Sequence, residues 1–158
     1  MQYREEHRDL FEVNHEEIEE PYCLAHCISA DFGMAGGIVL EFNRRWDMKN
    51  RLIQKHHNQE QNFKEKQGLI FPEEIHHNGT DTTVYNMVTK ATLGHLPTYT
   101  SLENCLKLVK DHMVSQGHYR LAVPKIGCGI DRLDWTHVSR IIQRVFKDTD
   151  VEILVCIR

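Results

Sequence analysis

Two hydrophobic periodicities alternate along the second half of the chain. Apolar side chains recur at helical spacing between Pro97 and Gly117, and again over residues 135–146. Continuous apolar runs at residues 119–126 and 151–157 are typical of buried strands. The pattern therefore predicts helix, strand, helix and strand in this half, with Gly117 ending the first helix.

Capping residues indicate where these two helices begin. Thr100 and Glu103 have the spacing of a capping box, and Asp134 is a favourable N-cap residue for the second helix. The apolar faces predicted for the two helices consist of Leu102, Leu106, Val109, Met113, Val138, Ile141, Ile142 and Val145.

The first half of the chain is less regular, but it also mixes the two periodicities. The predicted segments are a strand at residues 22–28, a glycine-rich break at 33–37, helical spacing over 38–46, a polar and partly helical stretch at 48–66, and strands at 69–71 and 82–89 joined by a turn at Asn78-Gly79. The whole order favours the α/β class, with a mixed sheet covered by helices on both faces. No repeat or linker interrupts residues 1–158, which are expected to form a single domain.

Composition narrows the class of protein without identifying it. The 158 residues are 41% hydrophobic and 27% charged, with a net charge of −4, which argues against a dedicated nucleic-acid-binding protein. We expect neither a membrane span nor a secretory signal. The five cysteines form no C-x-x-C pair, so we expect reduced thiols and an intracellular protein.

The charge is unevenly distributed, with a basic stretch at residues 44–66. This stretch has seven basic and three acidic side chains. A solvated helix face is the favoured interpretation, and a contact surface for an anionic polymer is the alternative.

Two glycine-rich turns, at residues 33–37 and 127–131, each follow a predicted strand and precede a helix. If the two strands are neighbours, the turns face each other across a cleft, and their main-chain N–H groups can hold a pyrophosphate without a metal. Arg132 occupies the position of the third glycine of a dinucleotide-binding fingerprint, so that fold is not indicated. No histidine or cysteine spacing predicts a metal site.

Lys90 and Asp131 are the candidates for chemistry, because both lie where a predicted strand gives way to a loop. A lysine amine is a nucleophile only when neutral; burial favours that form, whereas a nearby carboxylate opposes it. Asp131 is then expected to act as a base in a later step. Cys128 is expected to be structural, and His26 to be a core residue. Ser29 is a second-rank candidate, together with Asp31, and turn formation is the alternative for both.

Three segments resemble macrodomains. Residues 24–38 (LAHCISADFGMAGGI) resemble the family's first ligand loop. The runs VTK at 88–90, PTY at 97–99 and above all PKIGCGIDRLDW at 124–135 resemble the branch of ADP-ribosylglutamate hydrolases, which also deacetylate O-acetyl-ADP-ribose. The resemblance extends from about Asp9 to the last strand.

This resemblance implies a three-layer α/β/α fold that binds ADP-ribose. It implies that Lys90 attacks the anomeric carbon of the distal ribose and expels a glutamate carboxylate, and that Asp131 resolves the lysine adduct. Asp9 matches the acid that receives the adenine amino group, residues 33–37 match the loop around the distal ribose, and 125–131 the loop around the phosphates. The substrate-binding residues expected on this basis are Asp9, Leu10, Ser29, Met34, Gly36, Gly37, Lys125, Ile126, Gly127, Cys128, Gly129 and Ile130.

The expected activity is therefore removal of mono-ADP-ribose from glutamate or aspartate esters on proteins, and deacylation of O-acyl-ADP-ribose. A non-catalytic ADP-ribose reader is the alternative, and the presence of both Lys90 and Asp131 favours the enzyme. Expected partners are ADP-ribose and ADP-ribosylated proteins, with poly(ADP-ribose) or ADP-ribosylated nucleic acid as further options. We expect a monomer with no cofactor or metal and no membrane contact. The resemblance implies a nuclear and cytoplasmic location and a role in the DNA damage response.

Two positions depart from the family pattern. Ala35 replaces a glycine in the first loop, and because alanine tolerates positive φ poorly, a changed loop path is expected. Arg8 stands where a glycine commonly precedes the adenine-binding acid.

Overall fold

A computed structural model describes residues 1–158 and contains one six-stranded mixed sheet. The spatial order of the strands is β1-β6-β5-β2-β4-β3, and every neighbouring pair is parallel except β3 with β4. The strands are β1 (Gln2–His7), β2 (Cys23–Ser29), β3 (Leu69–His77), β4 (Thr80–Lys90), β5 (Arg120–Val123) and β6 (Glu152–Ile157).

Helices cover both faces of this sheet. Side chains of α1, α2 and α3 pack into one apolar cluster with the sheet, and side chains of α4 and α5 pack into a second cluster on the opposite face. The α/β/α layering predicted from the sequence is therefore confirmed. The helices are α1 (Val39–Trp46), α2 (Met48–Lys55), α3 (Glu60–Lys66), α4 (Tyr99–Gln116) and α5 (Trp135–Phe146), and a 3₁₀ turn spans Leu10–Glu12. No helix is long and apolar enough to cross a membrane.

Strand β2 shows why its sequence is almost entirely apolar. Leu24 and Ile28 belong to the cluster under α1 to α3, whereas Cys23 and Ala25 belong to the cluster under α4 and α5. Because successive side chains of a strand point to opposite faces, a central strand covered on both sides needs apolar residues at nearly every position.

Several local predictions need correction. The capping box of α4 uses Thr98 and Ser101, not Thr100 and Glu103: the amide of Ser101 donates to Thr98 Oγ1 at 3.0 Å, and the amide of Thr98 donates to Ser101 Oγ at 3.1 Å. Strand β5 ends at Val123, so residues 124–126 belong to the loop after it. The Asp134 cap of α5 is confirmed.

Strands β1 and β3 lie at the two edges of the sheet, where periodicity is a weak guide. β1 is mostly polar and exposed, and the hydrophobic pattern did not predict it; its only strand partner is β6. β3 continues to His77, well beyond the predicted residues 69–71, because it forms a long hairpin with β4 around Asn78 and Gly79. Both turn residues have positive φ, at 53° and 82°, as a type I′ turn requires.

Candidate active site

The carboxyl ends of β5, β2 and β4 meet at one edge of the sheet, because these three strands are parallel neighbours. The loops that follow β5 and β2, together with Lys90 at the end of β4, enclose a cavity of about 430 Å³. The condition set from the sequence is therefore met: the two glycine-rich turns face each other across a cleft.

The loop after β5 supplies one row of unpaired main-chain donors. The amides of Gly127, Gly129, Ile130 and Asp131 all belong to residues lining the cavity, and none of them donates to a protein acceptor. Gly127 has φ 73°, and a Cβ there would lie 2.9 Å from the Leu133 side chain, so the turn requires glycine at this position. Free amides of this kind form an anion-binding concavity.

The turn after β2 supplies a second row. Residues 34–39 all line the cavity, and none of their amides donates to a protein acceptor. They include the first turn of α1, whose N-cap residue, Ile38, makes no side-chain capping bond. The helix after the second turn offers no such free end, because Asp134 caps it by accepting from the amide of His137 at 3.1 Å. The uncapped helix end at the cavity is therefore that of α1, where the helix dipole favours negative charge.

Ala35 itself does not adopt a positive φ in this loop. The left-handed positions of this loop are Phe32, Met34 and Gly37, with φ 58°, 50° and 70°. The Ala35 methyl group lines the cavity without requiring a strained backbone at that residue.

Lys90 and Asp131, 41 residues apart in sequence, meet within the cavity lining. The Lys90 ammonium donates to Asp131 Oδ1 at 2.7 Å, and the two side chains are only 10% and 15% exposed. A carboxylate this close stabilises the charged ammonium, and the low exposure limits screening by water. The fold therefore places the two groups in direct contact inside the cavity.

Ser29, the last residue of β2, also lines the cavity and is 1% exposed. Its hydroxyl donates to Asp31 Oδ1, which also accepts from the amide of Gly33 at 3.2 Å. The cross-strand neighbour of Ser29 is Lys90, after an irregularity in the β2–β4 register. The loop 29–33 thus holds a buried hydroxyl beside the lysine.

The two cysteines nearest this region differ in position. Cys128 is absent from the cavity lining, and its thiol donates to the Ile126 carbonyl at 3.3 Å. Burial raises the pKa of Cys128 to about 11, so it is not a thiolate nucleophile at neutral pH. Cys27 does line the cavity and was not predicted from the sequence; burial also raises its pKa.

Asp9 and Leu10 are not part of the cavity lining. Asp9 Oδ1 accepts from the amide of Phe11 at 2.9 Å, which caps the 3₁₀ turn, and it lies 2.9 Å from the Arg158 guanidinium. Leu10 is buried in the core. Arg8 lies 3.4 Å from Glu6, and so does not cover the Asp9 carboxylate through a direct ion pair.

The remaining candidates have structural surroundings. His26 is fully buried, stacks on Phe42 with ring centroids 3.8 Å apart, and donates from Nε2 to Asn86 Oδ1 at 2.6 Å. In the basic stretch, Arg44 and Arg45 bond to Glu41 within α1. Lys55 and Arg51 bond respectively to Glu73 and to the carbonyl of Glu74 on β3. These pairings support the interpretation of a helix surface over that of a polymer-binding face.

The other cavity residues that sequence reasoning missed are Ile28, Ile38, Val39, Leu93 and Pro124. Leu93 comes from the loop after β4 and packs against the glycine-rich turn at residues 33–37. The contact is so close that a Cβ on Gly33 would overlap the Leu93 side chain. Nothing in the sequence near Leu93 signals this position. Ile38 and Val39 were predicted only as part of a helix.

No protein-family model matches the chain. It is similar to the human and bovine proteins named ADP-ribose glycohydrolase OARD1, with 36% identity over 132 residues, 84% of this chain and 79% of each relative. Among solved structures, the macrodomain of Thermus aquaticus DarG superposes with a TM-score of 0.76 at 20% identity, over 98% of this chain and 97% of that one. The chain belongs to the macrodomain family.

Another macrodomain-containing structure extends the fold comparison. Thermosipho africanus DarTG, solved in complex with ADP-ribose, gives a TM-score of 0.77 at 15% identity, over 99% of this macrodomain and 42% of that longer chain. The macrodomain of Mycobacterium tuberculosis DarG gives 0.74 at 20% identity, over 98% and 97% of the two chains. At these identities the likeness describes the fold.

Proposed function

We propose that this macrodomain is a hydrolase of ADP-ribosyl esters. Its substrates would be mono-ADP-ribose linked to glutamate or aspartate side chains of proteins, and O-acyl-ADP-ribose. The observation that carries the proposal is the buried Lys90–Asp131 pair at 2.7 Å inside a cavity lined by free amides. The glycohydrolase name of the relatives at 36% identity and the ADP-ribose bound to Thermosipho africanus DarTG support the same ligand.

The two rows of free amides suit a pyrophosphate. Residues 34–39 and 127–131 approach the cavity from two different loops, so donors can surround both phosphates. The N-terminus of α1 adds favourable potential for an anion. Charge neutralisation by main-chain dipoles requires no metal ion in this scheme.

In the first chemical step, the neutral amine of Lys90 attacks the anomeric carbon of the distal ribose. A C–N bond forms, and the C–O bond to the ester oxygen breaks, so that the acceptor leaves as a carboxylate. The proton lost from the nitrogen is released to solvent, so that Asp131 remains a carboxylate for the second step. When the acyl group of O-acyl-ADP-ribose is on the anomeric oxygen, the same attack would release it as its carboxylate.

In the second step, Asp131 removes a proton from a water molecule that attacks the sugar–lysine adduct. The C–N bond breaks, the lysine nitrogen takes up a proton, and free ADP-ribose leaves the cavity. The sum of the two steps adds one water molecule across the ester linkage. Lys90 thus acts in both steps, whereas Asp131 acts in the second, where it passes the proton of the water to the lysine nitrogen; no reactant other than water is consumed.

Substrate entry has to separate the ion pair before the first step. In the structure the Lys90 nitrogen contacts the Asp131 carboxylate at 2.7 Å, and it has to leave this contact to attack a sugar. A sugar placed between the two side chains would remove water and lengthen the contact, and both changes favour a neutral amine.

A direct test uses purified protein and a protein substrate mono-ADP-ribosylated on glutamate. Release of ADP-ribose is compared between the parent, Lys90→Ala and Asp131→Ala, while calorimetry measures ADP-ribose binding by each protein. We expect each substitution to lower the release rate by at least about 10²-fold, because it removes a group that acts in the transition state. Binding of ADP-ribose by the variants shows that they are folded.

The outcomes separate the enzyme from the reader. Equal release by all three proteins would refute the roles given to Lys90 and Asp131. Binding of ADP-ribose by the parent without any release would refute the hydrolase and favour the non-catalytic reader.

A further inference from the structure

A polar pair at the edge of the cavity has no part in the two chemical steps. Ser29 lines the cavity at 1% exposure, and its hydroxyl donates to Asp31 Oδ1. Asp31 does not line the cavity, and the same oxygen accepts from the Gly33 amide at 3.2 Å. The Ser29 hydroxyl and the Gly33 amide therefore both donate to Asp31 and fix the position of its carboxylate.

This contact fixes the hydrogen-bonding character of Ser29. A serine hydroxyl has one proton to donate and two lone pairs that accept. Since the proton is directed to Asp31, only acceptor capacity remains for the cavity. No protein donor bonds to the Ser29 hydroxyl oxygen. Lys90, which is paired with Ser29 across the strands, donates to Asp131 instead. A ligand bound here has to present a donor to Ser29.

We propose that Asp31 is a positioning residue that makes Ser29 an acceptor for a hydroxyl of the distal ribose. This inference rests on the proposed function, since it concerns the same ligand. It assigns to Asp31 an effect on sugar recognition that is transmitted through Ser29, without contact between Asp31 and the ligand.

The polarity of the cavity supports this placement. Phosphate oxygens only accept, so a buried acceptor backed by a carboxylate repels them, whereas the amides of residues 34–39 and 127–131 attract them. Ribose hydroxyls donate, and therefore suit Ser29. Because Ser29 is paired with Lys90 across the strands, a sugar held at Ser29 lies beside the amine. The acceptor at Ser29 and the donor amides of the two loops thus orient the ligand, with its distal ribose at Ser29 and its phosphates at the amides.

The test compares two ligands that differ in the distal ribose, ADP-ribose and ADP, by calorimetry. For Ser29→Ala we expect roughly five-fold weaker binding of ADP-ribose and unchanged binding of ADP, because one neutral hydrogen bond to the sugar is lost. For Asp31→Asn we expect nearly parental binding of both ligands, because the asparagine oxygen can still accept from Ser29 and from Gly33. Equal weakening of both ligands by Ser29→Ala would overturn the proposal.

Asp31→Ala also removes the acceptor of the Gly33 amide, so the double variant Ser29→Ala/Asp31→Ala is needed. If Asp31 acts through Ser29, Ser29→Ala should weaken ADP-ribose binding five-fold in the parent protein but should have almost no effect on binding in the Asp31→Ala background. A five-fold effect in both backgrounds would mean that Asp31 only shapes the turn, which contradicts the proposal.

The same measurements distinguish this inference from the proposed hydrolase. Suppose that the parent protein releases no ADP-ribose from substrate, while Ser29→Ala lowers its affinity for ADP-ribose. This result would support the role of Ser29 and Asp31 in sugar binding and refute the hydrolase. A parent protein that binds neither ligand would overturn both.

Discussion

The two ends of the expected ADP-ribose site differ in how closely the fold brings their side chains together. At the catalytic end, Lys90 and Asp131 are in contact and mostly buried, and the surrounding amides already line a cavity. At the adenine end, Asp9 and Leu10 lie outside that cavity, and the Asp9 carboxylate contacts Arg158.

The difference follows from what holds each end. The catalytic end is built on the carboxyl ends of three adjacent buried strands, β5, β2 and β4. The adenine end depends on a 3₁₀ turn after an exposed edge strand. Substitutions at the first end remove groups that are proposed to react, whereas substitutions at the second end alter single contacts to the ligand, so much larger effects are expected at the first end.

The largest expected contrast comes from matched carboxylate-to-amide changes at the two ends. Asp131→Asn should lower ester hydrolysis by about 10²- to 10⁴-fold, because an amide cannot accept the proton. Asp9→Asn should lower ADP-ribose affinity by no more than about ten-fold, because asparagine still caps the 3₁₀ turn and one ligand hydrogen bond is altered. Steady-state rates and calorimetry measure the two effects, and comparable rate losses would remove the contrast.

A second prediction concerns the aromatic cluster that packs beside Asp9. His26 stacks on Phe42, which in turn contacts Phe11 beside Asp9 with ring centroids 5.0 Å apart. Burial lowers the pKa of His26 to about 4, so the unfolded chain takes up the proton first as the pH falls. Stability is therefore full above about pH 6.5 and declines towards pH 4, by about 3 kcal/mol.

Urea unfolding between pH 4 and 7 measures this decline, and His26→Gln is the control that cannot titrate. The pKa of His77 is also lowered by burial, so only the difference between the two proteins reports on His26. Parallel curves for the parent and His26→Gln would contradict the prediction.

Two glycines of the same loop provide a smaller, matched comparison. Gly127→Ala places a Cβ at φ 73° and 2.9 Å from Leu133, which should cost about 1–2 kcal/mol of stability. Gly129→Ala meets nothing within 4 Å and has no positive φ, so it should change stability by less than about 0.5 kcal/mol. Thermal unfolding with and without ADP-ribose checks both, and equal shifts would show that the loop is not conformationally constrained at Gly127.

The smallest effect is expected at Arg158. Its ion pair with Asp9 is largely exposed, with the arginine side chain 69% accessible. Arg158→Ala should change the free energy of unfolding by less than about 0.5 kcal/mol, because exposed ion pairs contribute little. It should leave ADP-ribose affinity unchanged or slightly increased, since Asp9 becomes free. A large loss of affinity on calorimetry would mean that Arg158 contacts the ligand.

The hydrophobic pattern located Lys90 and Asp131 but not Asp9, for a physical reason. Lys90 ends a β-branched and apolar strand, and Asp131 lies in the loop after a second, more continuously apolar strand; because the strands are parallel, their carboxyl ends lie at the same edge of the sheet. Asp9 follows β1, a polar edge strand with no hydrophobic signature, and the resemblance alone placed it.

Other features depended on packing that periodicity does not encode. The cap of α4 lies at Thr98 because its extended backbone, with φ −111° and ψ 162°, directs the side chain to Ser101. Thr100 has an equivalent spacing to Glu103 but lies inside the helix. Leu93 reaches the cavity only because the loop after β4 folds over Gly33.

The central claim is that the Lys90 nitrogen forms a covalent bond with the distal sugar. The most direct measurement is peptide mass spectrometry after acid quench of Asp131→Asn incubated with the glutamate-linked substrate. The account predicts a Lys90-containing peptide heavier by ADP-ribose less one water, and no such peptide from the double variant with Lys90→Arg. Free ADP-ribose accumulating at the parental rate, with Lys90 unmodified, would contradict it.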